Sequence, residues 1–243
     1  MSLWNRTLKR VALTHQLDEH SPYWGGMPEG AVELNTPILD FDSPYNLRIQ
    51  RQTFPGQFGT HVDFPCHFHK EGKVAKDFTI DHAVLPLVVL DKHEEVAGNV
   101  DFELSVADIE AHEEEYGPIP ADAFVAFRFD WHKRWPDADA LTNADASGNL
   151  HTPGWSKEAV SALHDRGVLG IGHETLDTDP AVACADAGDL AVERHVLGLG
   201  LFQLEVLANL DQVPARSALI SIGWPNIADA NGLPVRAWAT FEA

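Results

Sequence analysis

The sequence is poor in cysteine, in basic residues and in long apolar segments, and each shortage excludes a class of protein. Two cysteines in 243 residues are too few for a disulfide framework and indicate a reducing compartment. No stretch reaches the roughly 18 uninterrupted apolar residues of a membrane-spanning helix. The N-terminal residues also lack the apolar run of a signal peptide. We therefore expect a cytoplasmic protein that does not enter a membrane.

Basic residues are outnumbered by acidic ones, and this imbalance restricts the possible partners. The chain has 17 lysines and arginines against 37 aspartates and glutamates, a formal net charge of -20. Such a surface repels the phosphates of nucleic acids and of anionic membranes. The charges are densest at 101–115 and 137–145, a distribution typical of solvated surface. Nucleic acids and membranes are therefore not expected as partners.

Apolar residues make up 44% of the chain, which is enough for the core of one sizeable domain. The Ser-x-x-Asp pattern at Ser105 predicts a helix that ends at Gly117. Ser156 is predicted to cap a second helix, which ends at Gly167. Predicted strands lie at 85–90, 123–130, 168–172, 217–222 and 235–241. Strands interrupted by a few helices indicate a single mixed α/β domain.

The most informative segment is residues 57–69, where polar and apolar side chains alternate. In an extended chain, one face holds Gln57, Gly59, His61, Asp63, Pro65, His67 and His69, and the other holds Phe58, Val62, Phe64, Cys66 and Phe68. His61 and Asp63 would stand about 7 Å apart along the strand, close enough to bind one divalent ion. Pro65 ends the regular strand, so His67 is expected on a turn that returns it toward the ion. The segment predicts a half-buried, metal-binding strand, with ordinary surface histidines as the alternative.

The motif Gly-Thr-His-x-Asp-x-Pro-x-His-Phe at 59–68 resembles the signature of the cyclase family of metal-dependent hydrolases, which includes bacterial kynurenine formamidase and isatin hydrolase. Segments that resemble the isatin-hydrolase-like branch follow in the same order at 129–131, 143–145, 151–154, 172–179 and 209–214. The resemblance covers most of the chain. It implies a swivelling β/β/α architecture and a metal-dependent hydrolase of a small amide.

One position departs from the family's His-x-x-x-His-x-Asp pattern, because Gln57 stands where the first histidine is expected. A carboxamide oxygen is a weaker ligand than an imidazole nitrogen. The resemblance also implies a later histidine and a glutamate twelve residues beyond it as ligands, and the matching positions here are Glu193 and Glu205. With two imidazoles lost, we expect one divalent ion, Zn²⁺ or Mn²⁺, or one tight site with a second, weak one.

The two glutamates differ in their surroundings. Glu205 lies in the apolar run at 201–207, where an unpaired carboxylate would be costly to bury, so a metal ion or an arginine is expected beside it. Glu193 fits a metal ligand and a solvated helix charge equally well. The predicted ligands are therefore Gln57, His61, Asp63 and Glu205, with Glu193 as a further candidate.

His67 is the predicted general base and acid. It lies beyond the proline, so its imidazole can approach a metal-activated water without binding the ion tightly. The resemblance implies the same role, and a loop histidine without chemistry is the alternative. His67 would take a proton from the water and pass it to the leaving nitrogen of a small-molecule amide. A cyclase, a dehydratase, a lactonase and an inactive ligand-binding relative are the alternative functions.

Planar substrates stack on aromatic side chains, so Trp24 and Trp131 are predicted to line the substrate pocket, with a core position as the alternative for each. His173 follows a predicted strand, at the edge where pockets form in α/β sheets. It is expected to contact the substrate, with packing as the alternative. Asp177 and Asp179 receive no chemical role.

The chain is divided into an N-terminal arm at 1–28 and a hydrolase domain at 29–243. The arm carries Trp4, Tyr23 and Trp24 with little regular periodicity. Because proteins that resemble this one form dimers or larger assemblies, the arm is predicted to lie at a subunit interface of a homodimer or homotetramer. The alternative is that the arm folds onto its own domain.

Overall fold

The computed structural model describes residues 6–243, so Trp4 of the predicted arm lies outside the described residues. The strands are β1 (Leu8–Ala12), β2 (Glu33–Leu39), β3 (Ile49–Thr53), β4 (His61–Asp63), β5 (Val84–Asp91), β6 (Glu103–Leu104), β7 (Phe124–Arg128), β8 (Gly154–Trp155), β9 (Gly170–Gly172), β10 (Phe202–Glu205), β11 (Ala218–Gly223), β12 (Gly232–Pro234) and β13 (Arg236–Glu242). The helices are α1 (His93–Gly98), α2 (Val106–Tyr116), α3 (Ala138–Thr142), α4 (Lys157–Asp165), α5 (Ala181–Ala187) and α6 (Ala191–Gly198). None of these helices combines the length and the apolar character needed to cross a bilayer.

Most of the strands form one mixed sheet, in the spatial order β1-β13-β11-β5-β7-β9-β10-β4-β12. The central strands β5, β7, β9 and β10 run parallel to one another. β11 pairs antiparallel with β5, and β4 pairs antiparallel with β10. Two small sheets, β2–β3 and β6–β8, stand apart from it. The mixed α/β class predicted from the sequence is confirmed.

The two helices with predicted caps begin at those caps and end at or just before the predicted glycines. Ser105 caps α2 by accepting a hydrogen bond from the Asp108 N–H, while the Asp108 carboxylate accepts one from the Ser105 N–H. Ser156 Oγ caps α4 by accepting from the Ala159 N–H at 3.0 Å. Such caps satisfy N–H groups that the first helical turn leaves unpaired. The five strands predicted from the sequence are confirmed as β5, β7, β9, β11 and β13.

The central strands divide their apolar side chains between two cores. Along β5, Leu87 and Val89 belong to one core, whereas Val88 and Leu90 belong to the other. The second core also includes Ile109 of α2 and is therefore the helix-covered side. Burial on both faces is the usual condition of parallel strands covered by helices. A group of buried polar residues lies toward one end of this sheet, where β10 pairs with β4.

Part of the predicted N-terminal arm is built into the main sheet. β1 pairs antiparallel with β13, with Leu8 opposite Glu242 and Ala12 opposite Trp238. This stretch therefore folds onto its own domain. The interface role of the rest of the arm stays a prediction.

Candidate metal centre

His61 provides a nitrogen lone pair in the interior of the sheet. Its side chain is buried in β4, and its Nδ1 lies 2.8 Å from the backbone oxygen of Gly59. We assign the proton to Nδ1, which donates to this carbonyl, so Nε2 carries the lone pair. Nε2 is buried and has no hydrogen-bond partner among residues 6–243. A buried imidazole nitrogen held in this way is suited to a metal ion.

Two carboxylates face this nitrogen. Asp63 Oδ2 lies 3.2 Å and Glu205 Oε2 lies 3.3 Å from His61 Nε2, and the three residues offer ligand atoms within 4.8 Å of one another. The pairing of β10 with β4 produces this arrangement, because Glu205 is opposite His61 in the antiparallel register. One imidazole nitrogen and two carboxylate oxygens are typical ligands of a divalent ion. The structure thus brings together three of the predicted ligands.

The charges in this group favour a cation. Burial alone would lower the pKa of the His61 imidazole, but the carboxylates of Asp63 and Glu205 outweigh burial and raise that pKa well above its ordinary value. Burial alone would raise the pKa of Asp63, but the adjacent His61 charge lowers it. The carboxylates therefore need a positive charge between them, supplied by a proton on His61 or by a divalent ion. The residues present fit a divalent ion.

The strand that carries this group is shorter than the sequence predicts. β4 spans only His61–Asp63 and is buried throughout, whereas the alternation predicts a half-buried strand from residue 57. Gly59 has φ +61°, a left-handed conformation that interrupts the extended chain, and a Cβ there would clash with Leu17 Cδ2. β12 also pairs with the other edge of β4 and helps to enclose it. The one-face rule therefore does not reach back to Gln57.

Gln57 and Glu193 lie on the wall of the same site. Gln57 Nε2 donates to Asp63 Oδ1 at 2.9 Å, so its amide steadies a ligand carboxylate. Glu193 is only 4% exposed on α6, which contradicts the alternative of a solvated helix charge. Burial, followed by the charges of Glu205 and Asp63, raises the pKa of the Glu193 carboxyl well above its ordinary value. Metal ligation by Gln57 and by Glu193 stays a prediction.

His67 ends a short 3₁₀ turn, Pro65–His67, which follows β4. Its side chain is 27% exposed, and its Nε2 lies 3.9 Å from Glu193 Oε1. On the other side of the ring, Asn231 Nδ2 lies 3.2 Å from Nδ1. The imidazole thus borders the site without joining the His61 group, on the proline-induced turn that the sequence predicts.

A cavity of about 270 Å³ opens onto these groups. Its polar wall consists of Gln57, His61, Asp63, His67, Asp177, Glu193 and Glu205, and its apolar wall of Trp24, Met27, Phe68, Leu176 and Leu190. Trp24 is 59% exposed, which places its indole at the rim. A larger cavity of about 630 Å³ lies beside α2, but the metal-type group found among residues 6–243 is not on its wall. The smaller cavity suits a small planar ligand.

Two predicted substrate contacts are corrected by the structure. Trp131 is 2% exposed, and its Nε1 donates to the Leu141 backbone oxygen at 3.0 Å. His173 is fully buried, with its Nε2 3.4 Å from Glu205 Oε1. Trp131 is therefore a core residue, and His173 lies behind a candidate ligand, away from the cavity wall. Both rings are buried by segments distant in the chain, so their burial cannot be predicted from the neighbouring residues.

Two polar residues of the site, Asp177 and Gln203, are not predicted from the sequence. Asp177 lines the cavity, and burial, followed by the nearby Glu205 charge, raises the pKa of its carboxyl to about 6. Gln203 is fully buried and its amide lies between Asp63 and Glu205. A signal for Gln203 exists in the sequence, because it is two positions from Glu205 and so shares its face of β10.

The mixed sheet and the His61 group define an α/β protein with a candidate divalent-metal site beside a small cavity. The chain belongs to the cyclase family, since the family model described as putative cyclase matches residues 11–180. This membership confirms the resemblance carried by the motif at 59–68.

Individual relatives agree with the family. Isatin hydrolase of Roseibium aggregatum is 33% identical over 185 residues, which cover 74% of this chain and 70% of the relative. Kynurenine formamidase of Salinibacter ruber is 27% identical over 199 residues, 79% of this chain and 77% of the relative. The crystal structure of an isatin hydrolase bound to the product analogue thioisatinate matches with a TM-score of 0.87 at 29% identity, over 97% of this chain and 93% of the other. This likeness confirms the predicted fold.

Proposed function

We propose that this protein is a metal-dependent hydrolase that cleaves the C–N bond of a small aromatic amide, with isatin-like lactams as the first substrate class and aryl formamides as the second. The observation that carries the proposal is the buried His61, Asp63 and Glu205 group, which opens onto a cavity with aromatic walls. Similarity to an isatin hydrolase and to a kynurenine formamidase supports the two substrate classes.

The proposed cofactor is one divalent ion, Mn²⁺ or Zn²⁺. A nitrogen and two carboxylate oxygens are compatible with either ion. Gln57 is the proposed fourth ligand through Oε1, while its Nε2 keeps the hydrogen bond to Asp63 Oδ1. Among the described residues one group of three ligand side chains is found, which supports a single tight site. Glu193, buried on the same wall, is the proposed ligand of a second, weak site.

His67 is the proposed general base and acid. When bound, the ion would supply an activated water and polarise the substrate carbonyl. His67 borders the cavity, so its Nε2 can accept a proton from that water and deliver it to the leaving nitrogen. Asn231 faces Nδ1 and can serve either ring tautomer, since a carboxamide has a donor end and an acceptor end.

Two further groups support this role. The Glu193 carboxyl lies 3.9 Å from His67 Nε2, so its ionised form would stabilise the imidazolium that proton uptake creates. Trp24 and Phe68 contribute aromatic faces to the cavity wall, and these would orient a planar substrate.

A substrate screen tests the proposed function. The protein is depleted of metal, reconstituted with Mn²⁺ or Zn²⁺, and offered isatin-like lactams, aryl formamides and small lactones. We expect metal-dependent hydrolysis of a lactam or a formamide. Turnover of lactones alone would identify a lactonase instead, and binding without turnover would identify a ligand-binding relative. Either of those results would contradict the proposal.

We further propose that the protein acts as a homodimer or homotetramer in the cytoplasm. Large apolar side chains on and beside the β2–β3 pair are exposed, namely Ile38, Phe41, Tyr45, Leu47, Ile49 and Phe54. Exposed apolar groups of this kind support a subunit contact. The unpaired Cys66 and Cys184 support a reducing compartment. Light scattering at micromolar concentration should give a mass above the 26.7 kDa of one chain, and a clean monomer would rule out the oligomer.

A further inference from the structure

Gln203 connects the two carboxylates of the candidate metal site. It is fully buried on β10, opposite Asp63 in the register with β4. Its Nε2 donates to Glu205 Oε1 at 3.0 Å and lies 3.4 Å from Asp63 Oδ2. One neutral amide nitrogen, with its two hydrogens, therefore serves two neighbouring anions.

The oxygens of the two carboxylates differ in their nearest partners. Asp63 Oδ2 and Glu205 Oε2 are the atoms nearest His61 Nε2. The other oxygen of each carboxylate accepts from an amide: Gln57 Nε2, on the cavity wall, donates to Asp63 Oδ1 at 2.9 Å, and Gln203 Nε2, behind the wall, donates to Glu205 Oε1. These hydrogen bonds orient both carboxylates with one oxygen toward His61 Nε2.

Thr178 determines which end of the Gln203 amide faces the carboxylates. Thr178 is fully buried; its Oγ1 donates to Gln203 Oε1 at 2.8 Å and also lies 3.3 Å from Glu205 Oε1. If the amide were reversed, its oxygen would face the Glu205 carboxylate, and neither Asp63 nor Glu205 would receive a hydrogen bond from Gln203. The threonine hydroxyl therefore keeps the amide nitrogen toward the anions.

We propose that Gln203 is a positioning residue for the metal site, oriented by Thr178, which holds Asp63 and Glu205 at the separation that a divalent ion requires. The inference rests on the proposed function, because it concerns the same site. Gln203 does not line the cavity, so it acts through the two carboxylates and not on the substrate. Substituting a residue that hydrogen-bonds to a metal ligand typically lowers metal affinity by about 10–100-fold.

Titration with Mn²⁺, followed by the electron paramagnetic resonance signal of the free ion, tests the inference. Gln203→Met keeps a similar volume but removes the donor, and we expect it to weaken Mn²⁺ binding by about 10–100-fold. Thr178→Val leaves the amide in place but removes its orienting bond and the longer contact with Glu205 Oε1, and a smaller, several-fold loss is expected. The control is Leu204→Val, which alters the opposite, apolar face of the same strand. It should lower Tm without changing the affinity for Mn²⁺.

A double variant makes the test sharper. Because the shorter contact of Thr178 is with Gln203 Oε1 and the longer one is with Glu205 Oε1, adding Thr178→Val to Gln203→Met should lower the affinity less than Thr178→Val does alone. Additive losses would overturn the orienting role of Thr178. Wild-type affinity in Gln203→Met would overturn the positioning role while leaving the proposed function intact. If the wild-type protein bound neither Mn²⁺ nor Zn²⁺, the proposed function would fail, and this inference with it. Should Gln203→Met not fold, Thr178→Val alone decides, since unchanged affinity there contradicts the inference.

Discussion

Two strand pairs of this chain place their side chains in opposite ways. In the β4–β10 pair every residue is buried. The polar residues among them are His61, Asp63, Gln203 and Glu205. We define the surface hairpin as residues 33–53, which comprise β2, β3 and the segment that connects them. In this hairpin every residue of β3 is exposed. Phe41 and Tyr45 in that connection are 58% and 75% exposed.

The contrast shows that position in the sheet, more than residue type, determines burial here. β10 is enclosed between β9 and β4, so its polar groups are buried and must find partners in one another or in a cation. The surface hairpin is a two-stranded sheet of its own, and such a pair cannot bury both of its faces. Its apolar side chains therefore stay exposed, and they form the proposed subunit contact.

Among the proposed substitutions, loss of His61 from the β4–β10 pair should have the largest effect on metal binding. His61→Ala removes the only imidazole of the ligand group, so we expect loss of bound metal and of metal-dependent hydrolysis. Elemental analysis of protein purified without chelator measures this. Ile49→Ala in the surface hairpin is the control and should keep the wild-type metal content. Equal metal in His61→Ala and wild type would contradict the assignment.

Loss of His67 should affect the rate and not the metal. His67→Ala is expected to reduce hydrolysis by about 10²–10⁴-fold, the usual contribution of general acid–base catalysis. Metal content and Tm should stay near wild type, because the imidazole lies outside the ligand group. Steady-state kinetics and elemental analysis on the same sample separate the possibilities. Released metal would make His67 a ligand, and an unchanged rate would end its proposed catalytic role.

Substitution of one leucine in each region compares the stability of the two regions directly. Leu204 in β10 is completely buried, whereas Leu47 in the surface hairpin is 39% exposed. Leu204→Ala should lower the free energy of unfolding by about 2–5 kcal/mol, because it leaves a cavity. Leu47→Ala should change it by about 0.5 kcal/mol or less. Urea titrations of both variants give these values. Similar losses would show that the hairpin packs as tightly as the sheet.

His15 is a partly buried polar group outside the metal site, and it should make a smaller, pH-dependent contribution to stability. Its ring stacks on Trp135 with centroids 4.5 Å apart. Burial, followed by the charge of His132, lowers the pKa of His15 from 6.5 to about 4. The folded protein therefore binds fewer protons than the unfolded chain between these values, so stability falls as the pH drops through that window.

The expected size of this effect is roughly 1–2 kcal/mol, reduced by solvent screening because the ring is partly exposed. His15→Phe keeps the stacking but cannot bind a proton. Urea unfolding at pH 7 and pH 4.5 should show the wild type losing more stability than His15→Phe. Parallel pH profiles for the two proteins would contradict the lowered pKa.

Much of the fold and part of the site could be predicted from short-range patterns. The cap at Ser105 depends on a residue three positions away, and the pair His61 and Asp63 depends on the two-residue period of a strand. The apolar run around Glu205 predicts a buried carboxylate that needs a positive partner, and His61 lies beside it. The extent of β4 could not be predicted in this way, because the left-handed turn at Gly59 interrupts the alternation.

The α/β class, the family and the candidate ligands on β4 can be predicted from the sequence, because they follow from residue types at fixed local spacings. The position of Glu205 opposite His61 cannot, since a strand register joins segments far apart in the chain. Only the tertiary structure decides that Trp131 and His173 are enclosed while Trp24 stands at the cavity rim. Burial is the sum of contacts from many distant segments, and a local pattern contains too few of them to predict it.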